Sequence, residues 1–348
     1  MQNTLHLTLS SHLLVKMLLM AVGGFVLAMV LTPLYTTLAY RMQLWKRPRT
    51  LTVTGAPATI LNQLHGEKHK RHIPTMAGVI FIVTVSLLTL VFNLSRSQTW
   101  LPLAAFFGAA IVGLADDIFN IRSNGLGKAG LPSKIKLLLT MLVALIGGWF
   151  FYNKLGVSSI HWPGIHGSLH IGWLIVPLFV LVVVATANAV NISDGLDGLA
   201  GGLTTTAFGA YAIIAALEHR YGVAGFCMAL VGALMSYTWF NIFPARFFMG
   251  DSGSFALGTA LGVVAMITDT VLLLPVIGIV FVAEAGSVIL QIASKKLRHG
   301  KKIFRISPVH HHFEAGGWPE TKVTMRFWLV GQIGALVGLA LFIMGWYA

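Results

Sequence analysis

Cysteine is nearly missing from this chain: Cys227 stands alone, inside an apolar run. A single thiol excludes a disulfide framework and a cysteine-built metal site. Charge is scarce as well, at 10% of residues against 56% hydrophobic, and no stretch has the composition of a soluble domain. With a mean hydropathy of +0.80, the chain reads as a polytopic membrane protein. Acids are the rarer charged class, 11 Asp and Glu against 24 Lys and Arg, which leaves a formal charge of +13. In a soluble protein that excess would suggest nucleic acid, but in a membrane protein basic residues are read loop by loop. Anionic lipid and an anionic substrate are the expected partners, with no nucleic acid. Internal repeats and low-complexity tracts are also absent. Residues 13–40 form one span too long for a signal-peptide core and lack a small-residue cleavage site. The expectation is a single integral membrane domain over 1–348.

What the chain has instead is apolar runs long enough to cross about 30 Å of hydrocarbon. Ten are legible, at roughly 14–40, 74–94, 100–116, 135–153, 172–190, 199–217, 223–240, 254–268, 270–293 and 324–346. The eighth and ninth are separated by little more than Thr268-Asp269-Thr270, which predicts a tight hairpin. The fold class expected is therefore all-α, with about ten transmembrane helices. Loops after the odd-numbered runs hold all but four of the 24 basic residues, leaving Lys16, Arg96, Lys154 and Arg220 on the other side. The positive-inside rule makes the basic side cytoplasmic and puts both termini outside. The outer loop 154–171 alternates apolar and polar residues about Pro163-Gly164, which predicts a short β-hairpin. Its histidines, His161, His166 and His170, read as surface residues rather than metal ligands.

Five aspartates gather on the basic side, which the charge rule does not require. Asp116-Asp117 close the third run; Asn188-Ala-Val-Asn-Ile-Ser-Asp-Gly-Leu-Asp-Gly-Leu-Ala200 closes the fifth and opens the sixth. If this stretch is helical, Asp194 and Asp197 share one face; the alternative is a solvated loop. Asn241 leads into Phe248-Met-Gly-Asp-Ser-Gly-Ser254, which sets Asp251 between glycines at a helix start, where backbone N–H groups favour phosphate; the plainer alternative is an N-cap. Ser307-Pro-Val-His-His-His-Phe-Glu-Ala-Gly-Gly-Trp-Pro-Glu320 presents adjacent histidines that diverge too much for one metal. Aspartates without cysteines point to a hard cation, Mg²⁺ or Mn²⁺. Acids, lysines and histidines around such an ion are the groups that displacement at phosphorus needs. Glu284, inside the ninth run, is an intramembrane acid and a functional candidate by default, or a buried hydrogen-bonded helix residue. Gly258 and Gly262 read as helix-packing positions.

Pro74-Thr-Met, Asp116-Asp117, the Asn188–Ala200 stretch, Phe248-Met-Gly-Asp-Ser-Gly-Ser and Pro308-Val-His-His-His-Phe-Glu together resemble the phospho-N-acetylmuramoyl-pentapeptide transferase family, within the polyprenyl-phosphate N-acetylhexosamine-1-phosphate transferase superfamily. The likeness runs from about His65 to the C-terminus. It implies transfer of phospho-MurNAc-pentapeptide from UDP-MurNAc-pentapeptide to undecaprenyl phosphate, giving lipid I and UMP, with Mg²⁺. It also implies a homodimer in the bacterial inner membrane, with the active site facing the cytoplasm. By position, Asp251 resembles the Mg²⁺ ligand, and Asp116, with Asp117 beside it, the acid that deprotonates the lipid phosphate. Lys70, Asn188, Asn191, Asp194, Gly195, Leu196, Asp197, Asn241 and Gln291 resemble substrate-binding positions; His310, His311 and His312 resemble the diphosphate and sugar side, with His310 as a catalytic candidate. The sequence departs from the family pattern at His72-Ile73, at Ala77 and at Asn120, where a lysine commonly follows the paired acids; Lys134 or Lys136 is expected to supply that charge. Three alternatives stand beside this reading. They are a UDP-GlcNAc transferase of the same superfamily, a covalent aspartyl intermediate, and a secondary transporter with acids at the bilayer midplane.

Overall fold

The computed structural model describes residues 11–45, 72–122, 130–161 and 168–347. Lys70 and His166 lie outside them. The elements in chain order are α1 (Ser11–Arg41), α2 (Gly78–Phe92), α3 (Trp100–Arg122), α4 (Ser133–Asn153), β1 (Ser159–His161), β2 (Ser168–His170), α5 (Ile175–Ser193), α6 (Leu199–Leu217), α7 (Tyr221–Asn241), α8 (Gly250–Ile267), α9 (Leu274–Ile277), α10 (Ile279–Leu297), α11 (Val309–Glu314) and α12 (Glu320–Tyr347). Among the described residues, eight helices are long and apolar enough to cross a membrane: α1, α3 to α8 and α12. The chain is an all-α polytopic membrane protein.

The other two expected spans differ for physical reasons. With 15 residues, α2 is apolar but short, about 22 Å at ~1.5 Å per residue. The ninth run is broken, because Pro275 in the first turn of α9 and the non-helical Gly278 (φ −97°, ψ 30°) separate α9 from α10. Glu284, Gln291, Lys295 and Lys296 then lower the hydropathy of α10. The third run also continues past its expected end, so Asp116 and Asp117 stand inside α3 rather than closing it.

Helix α8 is the centre of the bundle. Every residue from Ser252 to Ile267 is buried, and glycines let three neighbours approach its backbone. A Cβ on Gly113 of α3 would lie 2.2 Å from Asp251 O, one on Gly78 of α2 would lie 2.4 Å from Gly253 Cα, and one on Gly258 would lie 2.5 Å from Thr186 O of α5. Gly258 and Gly262 do pack against α5, as their spacing predicted. Large apolar side chains on the outer faces of α1, α4 and α12, such as Leu34, Leu138 and Leu336, remain exposed, as a lipid-facing surface requires.

Successive antiparallel helices bring alternate ends together. The end of α8 turns at Asp269 (φ 48°), whose Oδ1 accepts a hydrogen bond from His161 N–H at 2.8 Å. The hairpin is present, with Ser159 paired to His170 and His161 to Ser168, and it sits at this end. His170 Nδ1 lies 3.2 Å from Ser158 Oγ. Asp251 begins the same helix 18 residues earlier in chain order, at the opposite end, about 27 Å away along the axis. There the Pro74-Thr-Met motif meets the loop before α8: Phe248 N–H donates to Pro74 O at 2.8 Å, and Ala77 N–H donates to Phe248 O at 3.0 Å.

Candidate active site

Gly250 opens α8 with φ 78°, a conformation that glycine adopts without a side-chain penalty. A Cβ there would fall 2.5 Å from Asp117 Oδ2, so the bare backbone gives Asp117 access to the helix end. Asp117 accepts from the N–H groups of Asp251 at 3.1 Å and Ser252 at 2.9 Å. The first N–H groups of a helix lack intrahelical partners, and a buried carboxylate both satisfies them and complements the helix dipole. Asp117, on α3, thus caps α8 and sets the direction in which Asp251 points.

Asp116 serves a different surrounding. Its Oδ1 accepts Leu131 N–H at 2.7 Å, and its Oδ2 accepts Asn120 Nδ2 at 2.9 Å. Lys136 Nζ lies 3.2 Å from the same Oδ2 and 2.8 Å from Asp251 Oδ2, and also 5.7 Å from the Phe255 ring centroid. Carboxylates from α3 and α8 therefore converge on one cation. Asn120, where a lysine would be usual, bonds to Asp116 instead, and Lys136 brings the positive charge from α4. Lys134 is exposed.

The fifth-run motif comes to the same place through a turn. Asn191 Nδ2 donates to Ser254 Oγ at 2.8 Å, tying α5 to the first turns of α8, while Asn188 Nδ2 donates within its own helix to Val184 O at 2.8 Å. Residues 194–198 are not helical, which corrects the shared-face expectation: Asp194 is half-buried, Gly195 exposed, and Leu196 and Asp197 buried. Asp197 accepts Ala245 N–H at 3.0 Å and donates its own N–H to Glu320 Oε1 at 2.7 Å. Asn241 Oδ1 accepts Gly198 N–H at 3.0 Å, and its Nδ2 donates to Phe247 O at 2.8 Å. Trp328 and Thr324 of α12 donate to the carbonyls of Gly198 and Asp197 at 3.2 Å each. Glu320 closes the histidine stretch, but Thr324 and Trp328 carried no signal in the sequence, because only folding places α12 beside this turn.

The three histidines have three environments. His310 Nδ1 lies 2.8 Å from Glu284 Oε2, and His311 Nδ1 lies 2.6 Å from Glu314 Oε2, both pairs buried. His312 Nδ1, half-buried, accepts Arg305 N–H at 3.1 Å. Gln291 accepts the N–H groups of Ile303 and Phe304, both at 3.0 Å, and donates to Phe304 O at 2.9 Å, pinning the basic loop to α10. Among the described residues, no group of three His, Cys, Asp or Glu side chains could hold a metal. Two carboxylates facing an ammonium do suit Mg²⁺, which commonly uses one or two carboxylates and takes its remaining ligands from phosphate and water.

A bundle of apolar helices with two acids and a lysine gathered at one end describes a polytopic membrane protein. Residues 99–269 match the model of glycosyl transferase family 4. A phospho-N-acetylmuramoyl-pentapeptide-transferase of Geobacillus thermodenitrificans is 38% identical over 321 residues, covering 91% of this chain and 94% of the relative. Proteins of the same name from Caldanaerobacter subterraneus and Heliobacterium modesticaldum are each 42% identical, over 76% and 79% of this chain and 82% and 85% of their own length. The chain belongs to the phospho-N-acetylmuramoyl-pentapeptide-transferase family.

Proposed function

We propose that this chain transfers phospho-MurNAc-pentapeptide from UDP-MurNAc-pentapeptide to undecaprenyl phosphate, forming lipid I and releasing UMP. The observation that carries the reading is the meeting of Asp116, Lys136 and Asp251 at one end of the bundle, beside the Asn188–Ala200 turn. Family membership supports the substrates. Both termini lie on the outer face of the bacterial cytoplasmic membrane, the site faces the cytoplasm, and the protein works as a homodimer; the distribution of basic residues supports the first two statements.

A phosphate oxygen of the lipid attacks the β-phosphorus of the sugar nucleotide in line, and the bond from that phosphorus to the bridging oxygen breaks, so UMP departs with that oxygen. Asp116 takes the proton when the lipid phosphate arrives as the monoanion. Its hydrogen bonds from Asn120 and Leu131 hold the carboxylate in place for this. Lys136 neutralises phosphate oxygens, a role that its reach between two carboxylates supports. Asp251 would hold Mg²⁺ (or Mn²⁺), which when bound supplies further charge neutralisation at the diphosphate. The 194–198 turn receives the nucleotide on its exposed backbone at Gly195. An apolar groove of about 350 Å³, lined by Leu181, Ala185, Leu274, Pro275, Phe281 and Ile289, follows α5 toward its polar end and suits a prenyl tail.

The test is UMP release by purified protein in detergent, with undecaprenyl phosphate, either UDP-MurNAc-pentapeptide or UDP-GlcNAc, and Mg²⁺ or EDTA. The reading expects turnover with the pentapeptide substrate alone, lost with EDTA and in Asp251→Ala. Turnover with UDP-GlcNAc alone would move the chain to the sibling activity, and no turnover with either would refute transfer. Radiolabelled sugar phosphate retained on the protein without acceptor would replace the single displacement by a covalent intermediate.

A further inference from the structure

Glu284 is a fully buried acid within α10, and no step above uses it. Its Oε2 meets His310 Nδ1 at 2.8 Å, and both side chains are at most 1% exposed. The two remaining polar atoms of this pair, Glu284 Oε1 and His310 Nε2, are buried and without a hydrogen-bond partner. Each such orphan has given up its hydration without a hydrogen bond in return, which is costly. A pair that served only to tie α10 to α11 would gain nothing from leaving His310 Nε2 bare. That nitrogen has a direction: a Cβ built on Gly195 would lie 2.3 Å from it. Gly195 is the exposed residue of the 194–198 turn, so the bare nitrogen faces the backbone where the site opens.

We infer that Glu284 is a positioning residue: its carboxylate holds the His310 ring by Nδ1, so that Nε2 is presented past Gly195 to a phosphate oxygen of the sugar nucleotide. This rests on the transfer reading above. A carboxylate on one ring nitrogen fixes both the orientation of the imidazole and which nitrogen is left for the ligand, the same device that orients metal-bound histidines. Glycine at 195 is part of it, since any side chain would displace the ring.

The experiment is a double-mutant cycle on UMP release, with Glu284→Gln, His310→Ala and the pair. Glu284→Gln is expected to lower kcat about 10–100-fold, the range for outer carboxylates that orient histidine, with KM for undecaprenyl phosphate unchanged. In the His310→Ala background the same change should cost nothing more, because Glu284 acts through that ring. Multiplying losses, or a wild-type kcat for Glu284→Gln, would overturn the inference. Should Glu284→Gln fail to fold, Gly195→Ala takes its place: it keeps the Glu284 carboxylate and pushes the His310 ring out of its place, must lose kcat by a similar factor, and overturns the inference if it turns over normally. Histidine ¹⁵N spectra give a readout independent of turnover. The His310 Nδ1 resonance should move in Glu284→Gln, and on adding UDP-MurNAc-pentapeptide to wild type the Nε2 resonance should move. Inactive wild type with these shifts intact would refute the transfer reading and leave the pairing standing; absent shifts in active wild type would refute the pairing.

Discussion

Replacing Asp117 by alanine separates a structural acid from a chemical one. Asp117 accepts two backbone N–H groups at the start of α8, from Asp251 and Ser252, in a position with no exposure. Asp117→Ala leaves both donors buried without that partner, at about 1–3 kcal/mol each, so the expected destabilisation is about 2–6 kcal/mol. Asp116→Asn should behave otherwise. The amide oxygen can still accept Leu131 N–H, but its NH2 then faces the Asn120 and Lys136 donors in place of Oδ2, so one buried side-chain donor loses its acceptor at about 1–3 kcal/mol, half the loss expected for Asp117→Ala, while turnover falls for want of the charge facing Lys136. The assay is thermal unfolding in detergent, read by a thiol-reactive dye on Cys227, the lone cysteine, which is buried and labels only when the bundle opens. Turnover is measured on the same preparations. If Asp117→Ala unfolds at the wild-type temperature yet is inactive, the capping argument fails and Asp117 belongs to the chemistry.

Three further outcomes follow from the same geometry. Lys136→Ala leaves the carboxylates of Asp116 and Asp251 facing each other without their shared ammonium; UMP release should fall at least about 100-fold, the scale of losing one charge-stabilising donor, and wild-type rates would contradict Lys136's place at the phosphates. Gly250→Ala forces a side chain into φ 78° and toward Asp117 Oδ2 at 2.5 Å, so it should reproduce the instability of Asp117→Ala by at least about 1 kcal/mol; an unchanged unfolding temperature would refute the cap. Burial raises Glu218, at the end of α6, from 4.5 to about 7, against the opposing pull of Arg220. Because the folded protein holds this proton more tightly, the group's contribution is complete below about pH 4.5 and is lost as pH rises through about 7. Unfolding temperature should therefore drop between pH 5 and 8 by more in wild type than in Glu218→Gln, and equal slopes would refute the assignment.

Much of this architecture is legible in the residues themselves. Apolar runs and their basic flanks settle that the chain is a helical membrane protein, because no other structure hides its backbone in hydrocarbon, and the packing roles of Gly258 and Gly262 follow from spacing. The break of the ninth run at Pro275 and Gly278 is visible only in hindsight, since both residues also occur inside spanning helices. At the site, residue types in the local motifs carry the expectation of phosphate and a hard cation. They left open which member of Asp116-Asp117 does what, since neighbours in sequence carry the same chemistry, and which of Lys134 and Lys136 replaces the lysine missing at position 120. Helix rotation answered both: adjacent side chains point about 100° apart, at ~3.6 residues per turn. One aspartate thus meets the amide end of α8, while the other meets Lys136 beside Asp251. The pairing of Glu284 with His310, 26 residues apart in the chain, arose in the same way. Local chemistry fixes what a side chain can do, but only the crossing of distant helices chooses its partner.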